Sequence, residues 1–155
     1  YIFNPPGRLQ KIYYNKKKSN IIIDYAHTPE ALKIILKSFK LNDKKPSLVF
    51  GCGGDRDKTK RKIMGKIAKT YSRKTYITDD NPRNENPQKI REQIIEYCPN
   101  AIEIPSRKKA ILKAIKDLDF KDNLIIAGKG HEEYQIIKNK KIKLNDYKLV
   151  KEIIK

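Results

Sequence analysis

The chain has 155 residues, about the size of one domain, and 36 basic against 18 acidic residues give a formal net charge of +18. No apolar run approaches the roughly 20 residues of a membrane span, and residues 1–7 lack the basic-then-apolar order of a signal peptide. Two cysteines are too few for a disulfide framework or a four-cysteine zinc site. We therefore expect one soluble domain over 1–155, in the cytoplasm, with no membrane partner.

The first quarter of the chain predicts two strands and then a helix. The strands are expected at 9–14 and 21–24, with a polar turn between them. The isoleucines at 21–23 do not alternate with polar residues, which is typical of a strand covered on both faces. Thr28 and Pro29 are residue types preferred at the N-cap and at the first position of a helix, so a helix is expected to begin there.

The same alternation of strand and helix continues through the middle of the chain. Further strands are predicted at 47–50, 75–78, 101–104 and 124–127. Helices are predicted from about 58, from 87 and after an N-cap at Ser106. The side chains that the helix from 58 is expected to bury are Ile63, Met64, Ile67 and Tyr71.

The C-terminal part departs from this alternation. Residues 134–144 predict an antiparallel hairpin that turns at Asn139, and a last helix runs through Val150. Repeated strand–helix units are typical of a parallel sheet with helices on both faces. The sequence thus predicts an α/β fold with a Rossmann-like, mostly parallel sheet and a C-terminal antiparallel hairpin.

The polar and charged residues concentrate in segments that directly follow predicted strands. These segments are 24–29, 51–58, 79–83 and 128–133, and both histidines of the chain lie in them. Open α/β sheets bind ligands outside the carboxyl ends of their strands. We therefore expect the four segments to form one site at this edge of the sheet.

The charged residues of these segments suit a ligand that carries both signs of charge. Arg56 and Arg83 could bind carboxylates, because a guanidinium forms two parallel hydrogen bonds to a carboxylate. Asp80 and Glu132 could accept hydrogen bonds from ammonium groups. Basic residues also crowd the helix start near 58, where a bound anion would offset their repulsion by the helix dipole. An amino acid with two charged ends fits this set.

Other interpretations stay open at this point. His27 could satisfy a backbone group beside the helix cap, the glycines at 51–54 could form a turn with no ligand, and 80–83 could be an ordinary Asn-Pro turn. The net charge also allows a nucleic-acid-binding module, whose affinity would fall steeply with salt. Because the lysines are scattered and not interleaved with aromatics, we expect no nucleic-acid partner. A nucleotide-binding regulator without chemistry is a third, weaker alternative.

Taken together, segments 7–8, 24–29, 50–58, 80–83 and 128–135 resemble the C-terminal domain of the Mur ligase family. Asp-Asn-Pro-Arg at 80–83 resembles the members that add meso-diaminopimelate, and it argues against a lysine-adding member or a folylpolyglutamate synthetase. The resemblance implies an ATP-dependent ligase that phosphorylates the terminal carboxylate of UDP-MurNAc-L-Ala-D-Glu. The amine of the incoming amino acid then attacks the acyl phosphate, which gives an amide, ADP and phosphate.

The resemblance also implies roles for individual residues. Those expected to bind meso-diaminopimelate are Arg56, Asp80, Asn81, Pro82, Arg83, Gly128 and Glu132. Those expected to face the nucleotide are Arg8, Asp24 and His27. ATP and Mg2+ would be bound mainly by domains upstream, since the chain has no P-loop motif, so no catalytic residue or metal ligand is assigned to it. We expect the chain alone to be inactive and residues 1–7 to be the remnant of an interdomain linker.

Overall fold

The computed structural model describes residues 5–155, so residues 1–4 of the expected linker lie outside the described part. Its strands are β1 (Gln10–Tyr14), β2 (Ser19–Asp24), β3 (Ser47–Phe50), β4 (Thr75–Ile77), β5 (Ile102–Glu103), β6 (Asn123–Ala127), β7 (Tyr134–Ile137) and β8 (Lys140–Lys143). Its helices are α1 (Pro29–Ser38), α2 (Thr59–Tyr71), α3 (Pro87–Ile95), α4 (Arg107–Lys116) and α5 (Asp146–Ile153). The order of elements is the one that the sequence predicts.

Six strands form one sheet in the order β1-β2-β6-β3-β4-β5. β2, β6, β3, β4 and β5 are parallel, and β1 pairs antiparallel with β2. The carboxyl ends of β2, β3, β4 and β6 therefore meet at one edge. This confirms the predicted mostly parallel sheet and brings the four polar segments to the same edge.

Helices cover both faces of this sheet. α1, α2 and α3 pack on one face, where Leu48 and Phe50 of β3 are fully buried. α4 and α5 pack on the other face, against Val49 of the same strand. Successive side chains of a strand point to opposite faces, so a continuous apolar run is what a strand between two helical layers requires. None of the described helices is long and apolar enough to cross a membrane.

Side-chain caps fix most of the helix starts. Thr28 Oγ1 accepts a hydrogen bond from the backbone N–H of Ala31, and Ser106 Oγ accepts one from Lys109, as the sequence predicts. α2 begins with no side-chain cap on Lys58. Instead, the backbone N–H of Thr59, the first residue of the helix, donates to Asp57 Oδ1.

Two local predictions were wrong. Ile63 of α2 is 46% exposed, although we expected it to be buried. The buried face of α2 carries Arg61, Met64, Gly65 and Ala68. Arg61 can be buried because its guanidinium donates to Gly53 O and to Glu85 inside the fold, and Ile63, two residues further on, then lies on the exposed face. The strand predicted over 101–104 shortens to β5, whose two residues are exposed at the edge of the sheet. Short strands are common at sheet edges because they offer little unpaired backbone to other chains.

The hairpin of β7 and β8 is a separate two-stranded sheet, with its turn where the sequence predicts it. It lies beside the segment that follows β4. Arg83 N donates to Ile136 O, and Lys138 N donates to Arg83 O. The hairpin thus runs next to residues 81–83 like an added strand.

Candidate functional site

A cavity of about 260 Å3 lies at the carboxyl edge of the parallel strands. Lys60 of α2 and residues from all four polar segments line it, the latter being Tyr25, His27, Gly51, Cys52, Gly53, Arg56, Asp80, Asn81, Arg83, Gly128 and Glu132. The structure therefore brings together most of the residues that the sequence singled out. Three others, Arg8, Asp24 and Pro82, do not line the cavity.

Close backbone contact between two loops forms one wall of the cavity. A Cβ atom at Gly54 would clash with the carbonyl group of Pro82, and one at Gly51 would clash with Thr78 O. Gly54 N also donates to Asn81 O at 2.8 Å. Pro82 therefore contributes its backbone to the contact between the loops that form this wall. Glycine is needed at 51 and 54 because any side chain would push the loops apart.

Arg83 and Arg56 lie on the two loops of this wall. Arg83 Nη1 donates to Gly54 O at 2.9 Å, and Arg56 Nη1 donates to Asp55 O at 2.9 Å. Neither Nε nor Nη2 of these two arginines has a hydrogen-bond partner among residues 5–155. Each guanidinium is thus anchored through one nitrogen and has donors left for a carboxylate.

Asp80 is the most deeply placed carboxylate of the cavity, with 8% of the residue exposed. Burial raises the pKa of its carboxyl, and the positive charges of Arg107 and Lys129 partly offset this rise. Its carboxylate accepts no hydrogen bond from any described residue, although its backbone oxygen accepts one from Gln135. A Cβ atom at Gly128 would lie 2.7 Å from Asp80 Oδ2, so glycine at 128 keeps room for the carboxylate. A buried carboxylate without a donor is a favourable partner for a ligand ammonium.

Asn81 and Glu132 belong to a hydrogen-bonded network centred on Lys129. Lys129 Nζ lies 2.8 Å from Asn81 Oδ1, from Glu132 Oε2 and from Tyr134 O. Asn81 Nδ2 donates to Glu132 Oε2 at 3.1 Å. Sequence reasoning missed Lys129, because a lysine between two glycines indicates only a weak phosphate loop. The sequence signal that could have indicated an ion pair is Glu132, three residues after Lys129.

The residues expected to face a nucleotide gather around Tyr25. The guanidinium of Arg8 lies 5.5 Å from the centre of the Tyr25 ring, and the His27 ring lies 4.5 Å from it. Asp24 accepts hydrogen bonds from Ala26 N and Leu9 N, so it fastens β2 to the segment before β1. His27 Nδ1 is 2.8 Å from Tyr25 O. His27 therefore satisfies a backbone group and also lines the cavity.

Two of the basic residues at the start of α2 are paired within the chain. Arg61 is 1% exposed and donates to Gly53 O and to both carboxylate oxygens of Glu85, with a shortest distance of 2.7 Å. Lys58 Nζ lies 3.4 Å from the same carboxylate, which also accepts from Asp55 N. Glu85 thus offsets the charge of Arg61 and Lys58, while the expectation of a bound anion at this helix start stays a prediction. Sequence reasoning missed it, since Glu85 lies 24 residues from Arg61.

This ion pair predicts a pH dependence of stability. Hydrogen bonds from Arg61 lower the pKa of Glu85 from 4.5 to about 2. A lowered pKa means that the stabilisation is complete above pH 4.5 and is lost as the pH falls toward 2. Urea unfolding of the wild type and of Glu85→Gln should therefore differ most near neutral pH, with the difference shrinking below pH 4.5.

Glu96→Gln, which removes an exposed carboxylate at the end of α3, serves as the control for this experiment. A difference between wild type and Glu85→Gln that stayed constant between pH 7 and pH 3 would contradict the assigned ion pair.

Within residues 5–155, no group of three or more His, Cys, Asp or Glu side chains is arranged to hold a metal ion.

Comparisons with known proteins agree with this arrangement. Residues 7–130 match the family model described as "Mur ligase, glutamate ligase domain". The UDP-N-acetylmuramoyl-L-alanyl-D-glutamate--2,6-diaminopimelate ligase of Rickettsia bellii (strain RML369-C) is 50% identical over 145 residues, which cover 90% of this chain and 30% of that protein. The protein of the same name from Buchnera aphidicola subsp. Baizongia pistaciae is 47% identical over 160 residues, with 99% and 31% covered. The chain spans about a third of the length of these relatives.

Solved structures show the same relationship. A structure of a UDP-N-acetylmuramoyl-L-alanyl-D-glutamate--2,6-diaminopimelate ligase superposes with a TM-score of 0.88 at 35% identity, over 99% of this chain and 32% of that chain. A bifunctional folylpolyglutamate synthase/dihydrofolate synthase from Yersinia pestis superposes with a TM-score of 0.64 at 21% identity, over 81% of this chain and 28% of the other. The second likeness shows a shared fold.

Proposed function

The chain belongs to the Mur ligase family, and from this we propose that it is the domain of a longer ligase that binds meso-diaminopimelate for addition to UDP-MurNAc-L-Ala-D-Glu. One observation carries the proposal. A single cavity is lined by two arginines with free donors and by a buried carboxylate that accepts no hydrogen bond from the described residues. That is the charge pattern of a ligand with carboxylate and ammonium groups at both ends.

The cavity distinguishes such a ligand from lysine by its arginines. Diaminopimelate carries a second carboxylate where lysine has none, and Arg56 and Arg83 have unused donors to receive it. With lysine bound, one guanidinium would be left without its carboxylate. A site whose polar groups remain unpaired with the wrong ligand discriminates strongly against that ligand.

The ammonium groups would bind the acids at the other side of the cavity. The Asp80 carboxylate accepts no hydrogen bond from a described side chain or backbone group, and Glu132 is partly open to solvent. The Gly128 carbonyl is a further acceptor in the proposal. An ammonium bound near Asp80 would supply the positive charge that this buried carboxylate needs, and it would lower the pKa that burial raises.

The nucleotide contacts proposed for Arg8, Asp24 and His27 depend on the rest of the ligase. These residues surround Tyr25 next to the cavity, so ATP held there would lie beside the bound amino acid. In the proposal, ATP and Mg2+ are held mainly by parts of the ligase outside this chain, and the chain alone has no ligase activity. In the proposal the ligase acts in the cytoplasm, which its ATP-dependent reaction and the two free cysteines of the chain support. Neither nucleic acid nor a membrane is a partner in this proposal.

An NMR titration of the 155-residue chain with meso-diaminopimelate and, separately, with L-lysine tests the proposal. We expect the shifts caused by diaminopimelate to map to Arg56, Asn81, Arg83 and Glu132. Its affinity should exceed that of lysine by about 10- to 100-fold, which corresponds to one charged hydrogen-bonded group.

Equal affinity for the two amino acids would overturn the diaminopimelate assignment while leaving the family membership intact. Shifts that map away from the cavity would contradict the site itself. Binding of a DNA duplex with a steep salt dependence, without any response to amino acids, would favour the nucleic-acid alternative.

A further inference from the structure

We propose that Lys129 is a positioning residue that fixes Asn81 and Glu132 for the incoming diamino acid and so determines the affinity for it. This inference rests on the proposed function, because it concerns the same cavity. Lys129 does not line the cavity. Its effect on the ligand therefore passes through the two side chains that it holds.

The ammonium of Lys129 is fully used inside the fold. An ammonium has three N–H donors, and Lys129 Nζ has three acceptors at 2.8 Å, namely Asn81 Oδ1, Glu132 Oε2 and Tyr134 O. The residue is 1% exposed. No donor remains for a substrate, and a buried ammonium is stable only when it is paired in this way.

Lys129 and the backbone N–H of Ile136 together determine which way the Asn81 amide faces. Asn81 Oδ1 receives hydrogen bonds from Lys129 Nζ and from Ile136 N, and both of these groups can only donate. The oxygen of the amide must therefore lie on that side. Asn81 Nδ2 is consequently turned toward Glu132, to which it donates at 3.1 Å.

Lys129 also decides which oxygen of Glu132 stays available. Glu132 Oε2 accepts from both Lys129 Nζ and Asn81 Nδ2, whereas Oε1 has no hydrogen-bond partner within residues 5–155. The carboxylate is thus held through one oxygen and presents the other one to a ligand ammonium. Without Lys129, Glu132 would keep only the amide bond, and the Asn81 amide would lose one of the two donors that orient it.

The variant Lys129→Met tests this role, because it keeps an unbranched apolar stem that is one atom shorter and removes the three donors of the side chain. Lys148→Met is the matched control. Lys148 Nζ lies 3.3 Å from Glu133 Oε2, so the control removes an exposed lysine–glutamate pair that involves the residue next to Glu132. Two quantities are measured on the 15N-labelled 155-residue chain, namely the side-chain amide signals of Asn81 without ligand and the affinity for meso-diaminopimelate.

We expect Lys129→Met to shift the Asn81 side-chain amide signals and to weaken diaminopimelate binding by about 10-fold or more, the effect of losing a charged hydrogen-bonded partner. The control should keep both values of the wild type. A purely structural role would lower the folded fraction and leave the affinity of the folded molecules unchanged. That result, or unchanged Asn81 amide signals, would overturn the inference.

The two readouts separate this inference from the proposed function. If the wild-type chain does not bind diaminopimelate, the proposed function is contradicted. The Asn81 amide signals still decide whether Lys129 holds that side chain, because they are recorded without ligand. If the wild type binds and Lys129→Met binds equally well, the inference about Lys129 fails and the proposed function stands.

Discussion

Replacing Arg107 with methionine is expected to destabilise the fold by about 3–5 kcal/mol, the cost of leaving one member of a buried ion pair without its partner. Arg107 Nε donates to Asp146 Oδ1 at 2.9 Å, and Arg107 Nη2 donates to Asp146 Oδ2 at 2.7 Å. Both side chains are 0% exposed. Arg107 Nη2 also donates to Ala127 O, so one guanidinium joins α4, α5 and the end of β6.

Urea unfolding at pH 7 measures this loss. Lys113→Met on the same helix is the control, because Lys113 forms an exposed pair with Asp117 and such pairs contribute about 0–1 kcal/mol. The double variant Arg107→Met/Asp146→Leu should recover most of the stability, since it removes both buried charges together. A double variant no more stable than Arg107→Met would contradict the prediction that pairing with Asp146 accounts for this stability.

Replacing Arg83 with asparagine is expected to weaken meso-diaminopimelate binding by about 2–5 kcal/mol, or roughly 30- to several thousand-fold. Arg83 has a φ of 51°, and asparagine is one of the few residues that adopt this left-handed conformation readily. The backbone bonds from residue 83 to Ile136 and Lys138 do not involve the side chain. The variant therefore removes the guanidinium and keeps the loop.

Titration calorimetry of the variant with both amino acids checks this prediction. L-lysine is the internal control, and its affinity should change by only a few-fold because it lacks the second carboxylate. Arg83→Lys should lie between wild type and Arg83→Asn, because it keeps the charge and loses the planar pair of donors. An equal loss of affinity for both amino acids would show that Arg83 supports the cavity wall through Gly54 and does not select the ligand.

The order of strands and helices and the location of the site could be predicted from sequence, and the physical reasons are local. Short apolar runs that are followed by polar segments indicate parallel strands and the positions of their carboxyl ends. Thr28 and Ser106 indicate where helices begin. These signals involve residues within a few positions of each other. The cavity then follows, because the parallel sheet brings the ends of β2, β3, β4 and β6 together.

The buried charges could not be predicted in the same way. Arg61, Arg107 and Lys129 are at most 1% exposed, while any hydropathy pattern assigns such residues to the surface. Their partners lie far along the chain, with Arg107 and Asp146 separated by 39 residues and Lys129 and Asn81 by 48. The exposure of Ile63 was missed for the same reason, since Arg61 lies on the buried face of α2 and Ile63, two residues further on, lies on the exposed face.

The docked hairpin makes the shape of the proposed ligand site depend on two distant stretches of chain. Residues 81–83 are bonded to the hairpin through Ile136 and Lys138, and Gln135 Nε2 holds the backbone oxygen of Asp80 at 2.8 Å. Residues 80–83 are therefore not expected to keep their conformation when they are transferred to another protein without the hairpin. Grafting them into a relative of different preference would separate them from the template that shapes them. A transplant would have to carry 80–83 and 129–138 as one unit.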